Sequence, residues 1–163
     1  MFLILSLLAC KTKPPDVTWK PVDSPLGTKG AAEPLTAREL SALVDNFSRV
    51  HFETDSDALD AGGRAALQAN AEILNRHPEV RVEVQGHADE RGTVDYNLAL
   101  GQRRGQQVIR QLTAYGVPPS RLDLLSFGEE KPLVMGTGDV AWAENRRAEF
   151  RVLAGASVRG TVQ

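Results

Sequence analysis

Between Val80 and Gln85 apolar and polar residues alternate, with Val80, Val82 and Val84 on one side and Arg81, Glu83 and Gln85 on the other. That is the pattern of a strand with one buried face. A similar alternation over Phe47 to Phe52 puts Val50 and Phe52 inward and Arg49 and His51 outward, and predicts a first strand. Leu122, Leu124 and Ser126, with Asp123 and Leu125 opposite, predict a third, and Ala148 to Leu153 a last one. Helical spacing takes over between them. Leu59, Leu67, Ile73 and Leu74 mark a helix from Asp60 to Arg76, stopped by Pro78. A second helix starts after Thr93, a suitable N-cap with Asp95 in the first turn, and carries an inward stripe of Leu98, Gly101, Gly105, Val108, Ile109 and Leu112. Gly116-Val117-Pro118-Pro119 ends it. A turn of helix is expected around Ala141.

Upstream, Thr36 with Glu39 three residues on forms a capping box that opens a short helix, Leu35 to Asn46. Strand, helix, strand, helix, strand, strand then predicts an α/β sandwich of βαβαββ order, its helices on one face of a mixed sheet. The expected domain runs over residues 35–154. No repeat period interrupts it, and residues 155–163 read as a disordered tail.

Composition changes this picture mainly at the N-terminus. Residues 11–34 hold five of the chain's nine prolines, with few aliphatic residues, and cannot bury enough apolar surface to offset their chain entropy. They read as a flexible tether. Before them, Phe2 to Ala9 is an apolar run too short to span a bilayer. It ends in Leu7-Leu8-Ala9-Cys10, which looks like a lipobox, so residues 1–10 are expected to be a truncated lipoprotein signal and Cys10 the lipidated residue. Lys11 after that cysteine goes, in similar lipoproteins, with delivery to the outer membrane. A net charge of −2 gives no basic excess for nucleic acid, and a single cysteine excludes an intramolecular disulfide.

The candidate chemistry gathers just past the second strand, in Gly86-His87-Ala88-Asp89-Glu90-Arg91-Gly92-Thr93-Val94-Asp95-Tyr96-Asn97 and on to Arg104. Asn97 and Arg104 lie off the expected apolar stripe and about 10 Å apart along the axis, so both can face the loop that carries Asp89. One carboxylate and one guanidinium would then share a cleft. The plainer alternative is that Asp89 and Arg104 form an internal ion pair bracing the loop. His87 with Asp89 and Glu90 lacks the convergent third ligand a metal needs, and Gly136-Thr137-Gly138 lacks the lysine of a phosphate loop. No nucleophile elbow is present, and no cofactor is called for.

These residues resemble the OmpA-like peptidoglycan-binding domain and, within it, the peptidoglycan-associated lipoproteins. Phe52-Glu53-Thr54-Asp55-Ser56, Ser126-Phe127-Gly128-Glu129-Glu130-Lys131-Pro132 and Asn145-Arg146-Arg147-Ala148 match in the same order. The resemblance covers Phe47 to Leu153 and implies a ligand, the stem peptide of peptidoglycan with meso-diaminopimelate at its centre. Carried over position by position, the family's contacts fall on Thr54, Asp55, Asp89, Asn97 and Arg104. Arg104 is then expected to grip the carboxylate of the diaminopimelate tip and Asp89 its ammonium, with backbone N–H groups of the Thr54-Asp55 turn on remaining oxygens. Alanine at either charged position should abolish binding with the fold retained.

The resemblance further implies a non-catalytic protein, anchored by lipid in the outer membrane with its domain in the periplasm. Its partners would be the cell wall and, as in a Tol-Pal system, TolB and other Tol proteins. The alternatives are a wall-binding lipoprotein without Tol partners and a module that mainly binds periplasmic proteins. An enzyme acting on the wall would need a catalytic carboxylate with a perturbed pKa. Three positions depart from the family's usual residues: Val94 stands in place of a proline, Gly105 of an alanine, and Thr54 of an aromatic. Gly105 should cost about 1 kcal/mol of helix propensity unless close packing requires it.

Overall fold

The structure is a computed structural model that describes Ala42, Leu43 and residues 46–153. Cys10, the tether over 11–34 and the tail over 155–163 lie outside the described residues. Of the helix expected over Leu35 to Asn46, Ala42 and Leu43 are described, both helical, and Leu43 packs on the core.

The described elements are β1 (Val50–His51), α1 (Ala61–Arg76), β2 (Arg81–His87), α2 (Val94–Ala114), a 3-10 turn (Pro119–Arg121), β3 (Leu122–Gly128), α3 (Asp139–Asn145) and β4 (Arg147–Leu153). The sheet order is β1-β4-β2-β3. β2 and β3 run parallel, while β4 lies antiparallel to both β2 and β1. This is the mixed α/β sandwich that the periodicity predicts. Val82 and Val84 of β2 are fully buried with Leu67 and Leu74 of α1 and Val108 and Leu112 of α2, which fixes the helix-bearing face. The opposite face carries ion pairs, Glu83 with Arg151, Arg81 with Asp123 and Arg49 with Glu149.

Thr93 caps α2 as expected, and Asp60, expected as the first residue of α1, is its cap. Asp60 Oδ1 accepts from the Gly63 N–H at 2.6 Å, and Thr93 Oγ1 accepts from the Tyr96 N–H at 3.3 Å, each satisfying a first-turn donor that the helix cannot. At the other end of α2, Gly116 adopts φ +92° and Val117 N–H returns to the Leu112 carbonyl at 3.1 Å.

Two expectations need correction. The first strand is two residues long rather than six, because the Asn70 side chain, fully buried on α1, takes both backbone groups of Ser48: its Oδ1 accepts from the N–H and its Nδ2 donates to the carbonyl, each at 2.9 Å. A side-chain amide replaces the ladder there. The second concerns the stripe on α2. Leu98 is 45% exposed, while Asn97 and Arg104 are buried in line with Leu100, Gly101, Gly105, Val108 and Leu112. The two polar residues occupy core-facing positions, which periodicity of apolar residues does not reveal.

The close approach of α2 to the sheet depends on absent side chains. A Cβ on Gly86 would run into the backbone carbonyl of Gly101, and a Cβ on Gly105 into the end of the Leu124 side chain. Gly105 is therefore the case in which packing compensates lost helix propensity. With α2 pressed onto β2, its first two turns stand beside the loop that leaves the strand.

Candidate functional site

β2 ends at His87, and Ala88 N–H donates to the Gly128 carbonyl at 2.8 Å, so Asp89 emerges at the sheet's rim at a fixed height. Its carboxylate shapes the next turn by accepting from the Arg91 N–H at 3.1 Å. Gly92 follows with φ +114°, a conformation that suits glycine. Asn97 Nδ2 donates to the Arg91 carbonyl at 3.1 Å and also meets Glu129, so the first turn of α2 ties the loop down and joins it to the segment after β3.

The turn after β1 forms the other wall. Ser56 N–H donates to the Glu53 carbonyl at 3.3 Å, and Asp55 sits at φ 55°, a left-handed conformation that aspartate tolerates better than most residues. The Tyr96 hydroxyl of α2 hydrogen-bonds to Asp55 Oδ1 and closes the gap between the walls. Between them lies a cleft of about 290 Å³ lined by Thr54, Asp55, Asp89, Asn97, Arg91 and Tyr96, with Gly92 and Leu100.

Four of the five expected contacts thus line one cleft. Arg104 does not. It is fully buried, and its guanidinium donates to three backbone carbonyls: Nε to Ser56 at 2.9 Å, Nη1 to His87 at 2.8 Å and Nη2 to Glu53 at 3.1 Å. Its charge also lies over the Phe52 ring, 5.2 Å from the centroid. The expectation of a guanidinium standing free opposite Asp89 is therefore corrected, and so is the simpler alternative of a direct Asp89–Arg104 pair. Arg104 clamps the 53–56 turn to the end of β2 and so builds the cleft from beneath. Burial, followed by the neighbouring positive charge of Arg146, brings its pKa down to about 10, which leaves it cationic at neutral pH.

Asp89 pairs elsewhere. Arg91 Nε reaches its Oδ1 at 3.0 Å and Arg91 Nη2 its Oδ2 at 2.8 Å, while Arg146 Nη1 lies 3.4 Å from Oδ2. Burial pushes the Asp89 carboxyl up, but the hydrogen bonds and charges of Arg91 and Arg146 outweigh it and hold the group below the ordinary aspartate value. The cleft therefore presents an ionised carboxylate with an exposed guanidinium beside it.

Sequence reasoning assigned no contact to Arg91, Tyr96 or Arg146. Arg91 was signalled by its place two residues after Asp89, the reach of an Asx turn. In the sequence Arg146 and Arg147 read alike as structural or rim charges, with the resemblance placing Arg147 near the site; the structure puts Arg146 there instead. Arg147 points to the opposite face, where its Nε pairs with Glu149 Oε1 at 2.6 Å and its Nη2 donates to the Lys131 carbonyl at 3.2 Å. Arg146 turns back to donate to the Phe52 carbonyl at 2.9 Å.

Known proteins share this arrangement of chain. A curated relative from Agrobacterium fabrum, a peptidoglycan-associated lipoprotein, is 39% identical over 158 residues, covering 97% of this chain and 87% of its own. Another of that name, from Brucella melitensis, is 37% identical over 96% of this chain and 90% of its own. Among solved structures, the peptidoglycan-associated lipoprotein from Burkholderia pseudomallei superposes with a TM-score of 0.62 at 41% identity, over 64% of this chain and 89% of that one. The C-terminal domain of Helicobacter pylori MotB does so with a TM-score of 0.62 at 25% identity, over 67% of this chain and 86% of that one. Residues 51–146, which hold both walls of the cleft, Arg104 beneath it and Arg146 beside it, match the OmpA family, and the chain belongs to that family.

Proposed function

We propose that this protein binds peptidoglycan without altering it, taking the diaminopimelate tip of a stem peptide into the Asp89 cleft, and that it tethers the outer membrane to the wall through a lipid on Cys10. The observation that carries the reading is the cleft itself, in which Thr54, Asp55, Asp89 and Asn97 converge. The tip of diaminopimelate has an ammonium and a carboxylate on one carbon, and Asp89 with the guanidinium beside it offers the complementary pair. The names of the relatives support the same ligand class.

Arg104 enters this reading as a positioning residue. By holding the carbonyls of Glu53 and Ser56 it turns the Thr54-Asp55 backbone toward the cleft, and its buried charge favours an anion there. Catalysis is disfavoured by the state of Asp89: a general acid for glycosidic cleavage needs a raised pKa, whereas this carboxyl is held down. Modest affinity per site would suffice, since an anchored domain meets a repeating polymer at high effective concentration.

Incubation with purified sacculi tests the function. Sedimentation of the protein with the wall and no soluble muropeptides is expected, and release of fragments would overturn the non-catalytic reading. Stem peptides ending in diaminopimelate should compete, and their lysine counterparts should compete poorly. Incorporation of labelled palmitate that is lost in Cys10→Ala tests the anchor. We extend the proposal to a Tol partner that competes for the same face, supported by the apolar residues Met135, 82% exposed on the segment leading into α3, and Val140, 80% exposed in its first turn. Pull-down of TolB, relieved by stem peptide, is the expected result.

A further inference from the structure

Asp89 already holds a cation. Arg91 takes both of its oxygens at 3.0 and 2.8 Å, and the same Nη2 reaches Thr54 Oγ1 on the facing wall at 3.3 Å. The guanidinium thus bridges the mouth of the cleft. It also stacks on Trp142 of α3, 4.3 Å from the ring centroid, and that ring is steadied by its Nε1 donating to Glu90 Oε1 at 3.2 Å. An incoming ammonium needs the position that Arg91 fills.

The three arginines around Asp89 differ in freedom. Arg104 is sealed and spent on backbone carbonyls. The Arg146 side chain is 12% exposed and fixed by the Phe52 carbonyl. The Arg91 side chain is 40% exposed, and Trp142 gives its guanidinium a seat that does not depend on Asp89. Arg91 is the cation that can leave.

We propose that Arg91 is a specificity-determining latch, which fills the Asp89 contact in the free protein and yields only to a ligand that brings an ammonium for Asp89 and a carboxylate for the released guanidinium. This rests on reading the cleft as the wall-peptide site. With a zwitterion, one ion pair is exchanged for two. With a lone ammonium, one pair is exchanged for one, the guanidinium is left without its carboxylate, and desolvation of the cleft is not offset. A ligand with a carboxylate alone finds Arg91 engaged. Selection for a doubly charged carbon therefore comes from a residue that is already paired in the empty site.

The test is calorimetric titration of the full chain with two stem peptides that differ only in meso-diaminopimelate or lysine at the third position, using the parent, Arg91→Ala and Arg91→Lys. The parent should prefer the diaminopimelate peptide by about tenfold or more. Arg91→Ala should bind the lysine peptide several-fold more tightly than the parent does, because Asp89 is freed, and its preference should fall to about threefold or less. Arg91→Lys, which keeps the charge but loses the planar fork, should fall between and carries the test if Arg91→Ala does not fold. An unchanged preference in these variants, or an equal loss of affinity for both peptides, overturns the latch and leaves the wall-binding site standing. A parent that binds both peptides equally does the same. A parent that binds neither overturns the site, and the latch with it.

Discussion

Arg146 Nη1 lies 3.4 Å from Asp89 Oδ2 while its Nε donates to the Phe52 carbonyl at 2.9 Å. One guanidinium, from the residue just before β4, thereby fixes the cleft's carboxylate to the residue just after β1, the strand that leads into the facing wall. Arg104 makes the same kind of connection from α2, joining the 53–56 turn to β2. Beyond the end of the ladder the two walls are held at a set distance by these two cations, Arg104 buried and Arg146 partly so, and the geometry of the site and the stability of this end of the sheet are one property.

Asp89→Asn keeps the shape and removes the charge. Stem-peptide affinity should fall by about tenfold or more, since a charge-assisted contact becomes a neutral one. Arg91 and Arg146 lose their shared anion, and a cost of about 1–3 kcal/mol is expected in denaturant titration. Peptide titration and urea unfolding of the same preparation check both.

Arg104→Ala should lose binding by losing the wall, not by losing a ligand contact. Three carbonyls would lose the guanidinium, that of His87 in a fully buried bond, and the expected destabilisation is about 3 kcal/mol or more. Arg104→Lys, with a charge but no fork, should recover less than half of the loss. Thermal melting alongside sacculus sedimentation separates this outcome from a direct contact, in which affinity would fall and stability would not.

Gly86→Ala and Gly105→Ala should differ sharply. At Gly86 the added carbon meets the Gly101 backbone, which cannot give, and failure to fold or a loss of several kcal/mol is expected. At Gly105 it meets the far end of Leu124, which can rotate, and about 1 kcal/mol of regained helix propensity works against the crowding. Gly105→Ala should therefore stay within about 1–2 kcal/mol of the parent by chemical denaturation.

His87 supplies a pH dependence unrelated to the ligand. It is 1% exposed and stacks on Phe127 at 5.4 Å, and neither ring nitrogen has a hydrogen-bond partner among the described residues. Burial, then the charge of Arg147, lowers its pKa to about 4 from 6.5. The unfolded chain binds the proton across that window and the folded chain does not, so stability is full above pH 6.5 and declines as pH falls toward 4, by about 3 kcal/mol. His87→Phe should flatten this slope in urea midpoints measured between those pH values.

Much of the architecture is legible along the chain because it rests on periodicity and punctuation. Val80, Val82 and Val84 alternate, Thr93 caps, and Gly116 stops α2, each by rules that act over a few residues. Candidate residues were legible too, through their resemblance to a family pattern, and Thr54, Asp55, Asp89 and Asn97 do converge. Their partners were not. Whether Arg104 faces the cleft or lies beneath it depends on carbonyls 17, 48 and 51 residues away in sequence, which no local pattern encodes.

The sequence by itself determined which segments become strands and helices and which stretch bears the charges, since hydrophobic period and turn chemistry are local. Only the tertiary structure decided which arginine meets Asp89. Arg91, Arg104 and Arg146 all come within the same small volume, and burial and the supply of backbone carbonyls sort them into an exposed cation, the proposed latch, a sealed brace and a fixed strut. Charge complementarity alone cannot make that division, because all three carry the same charge, and what distinguishes them is how much water and how many acceptors each finds once the walls have closed.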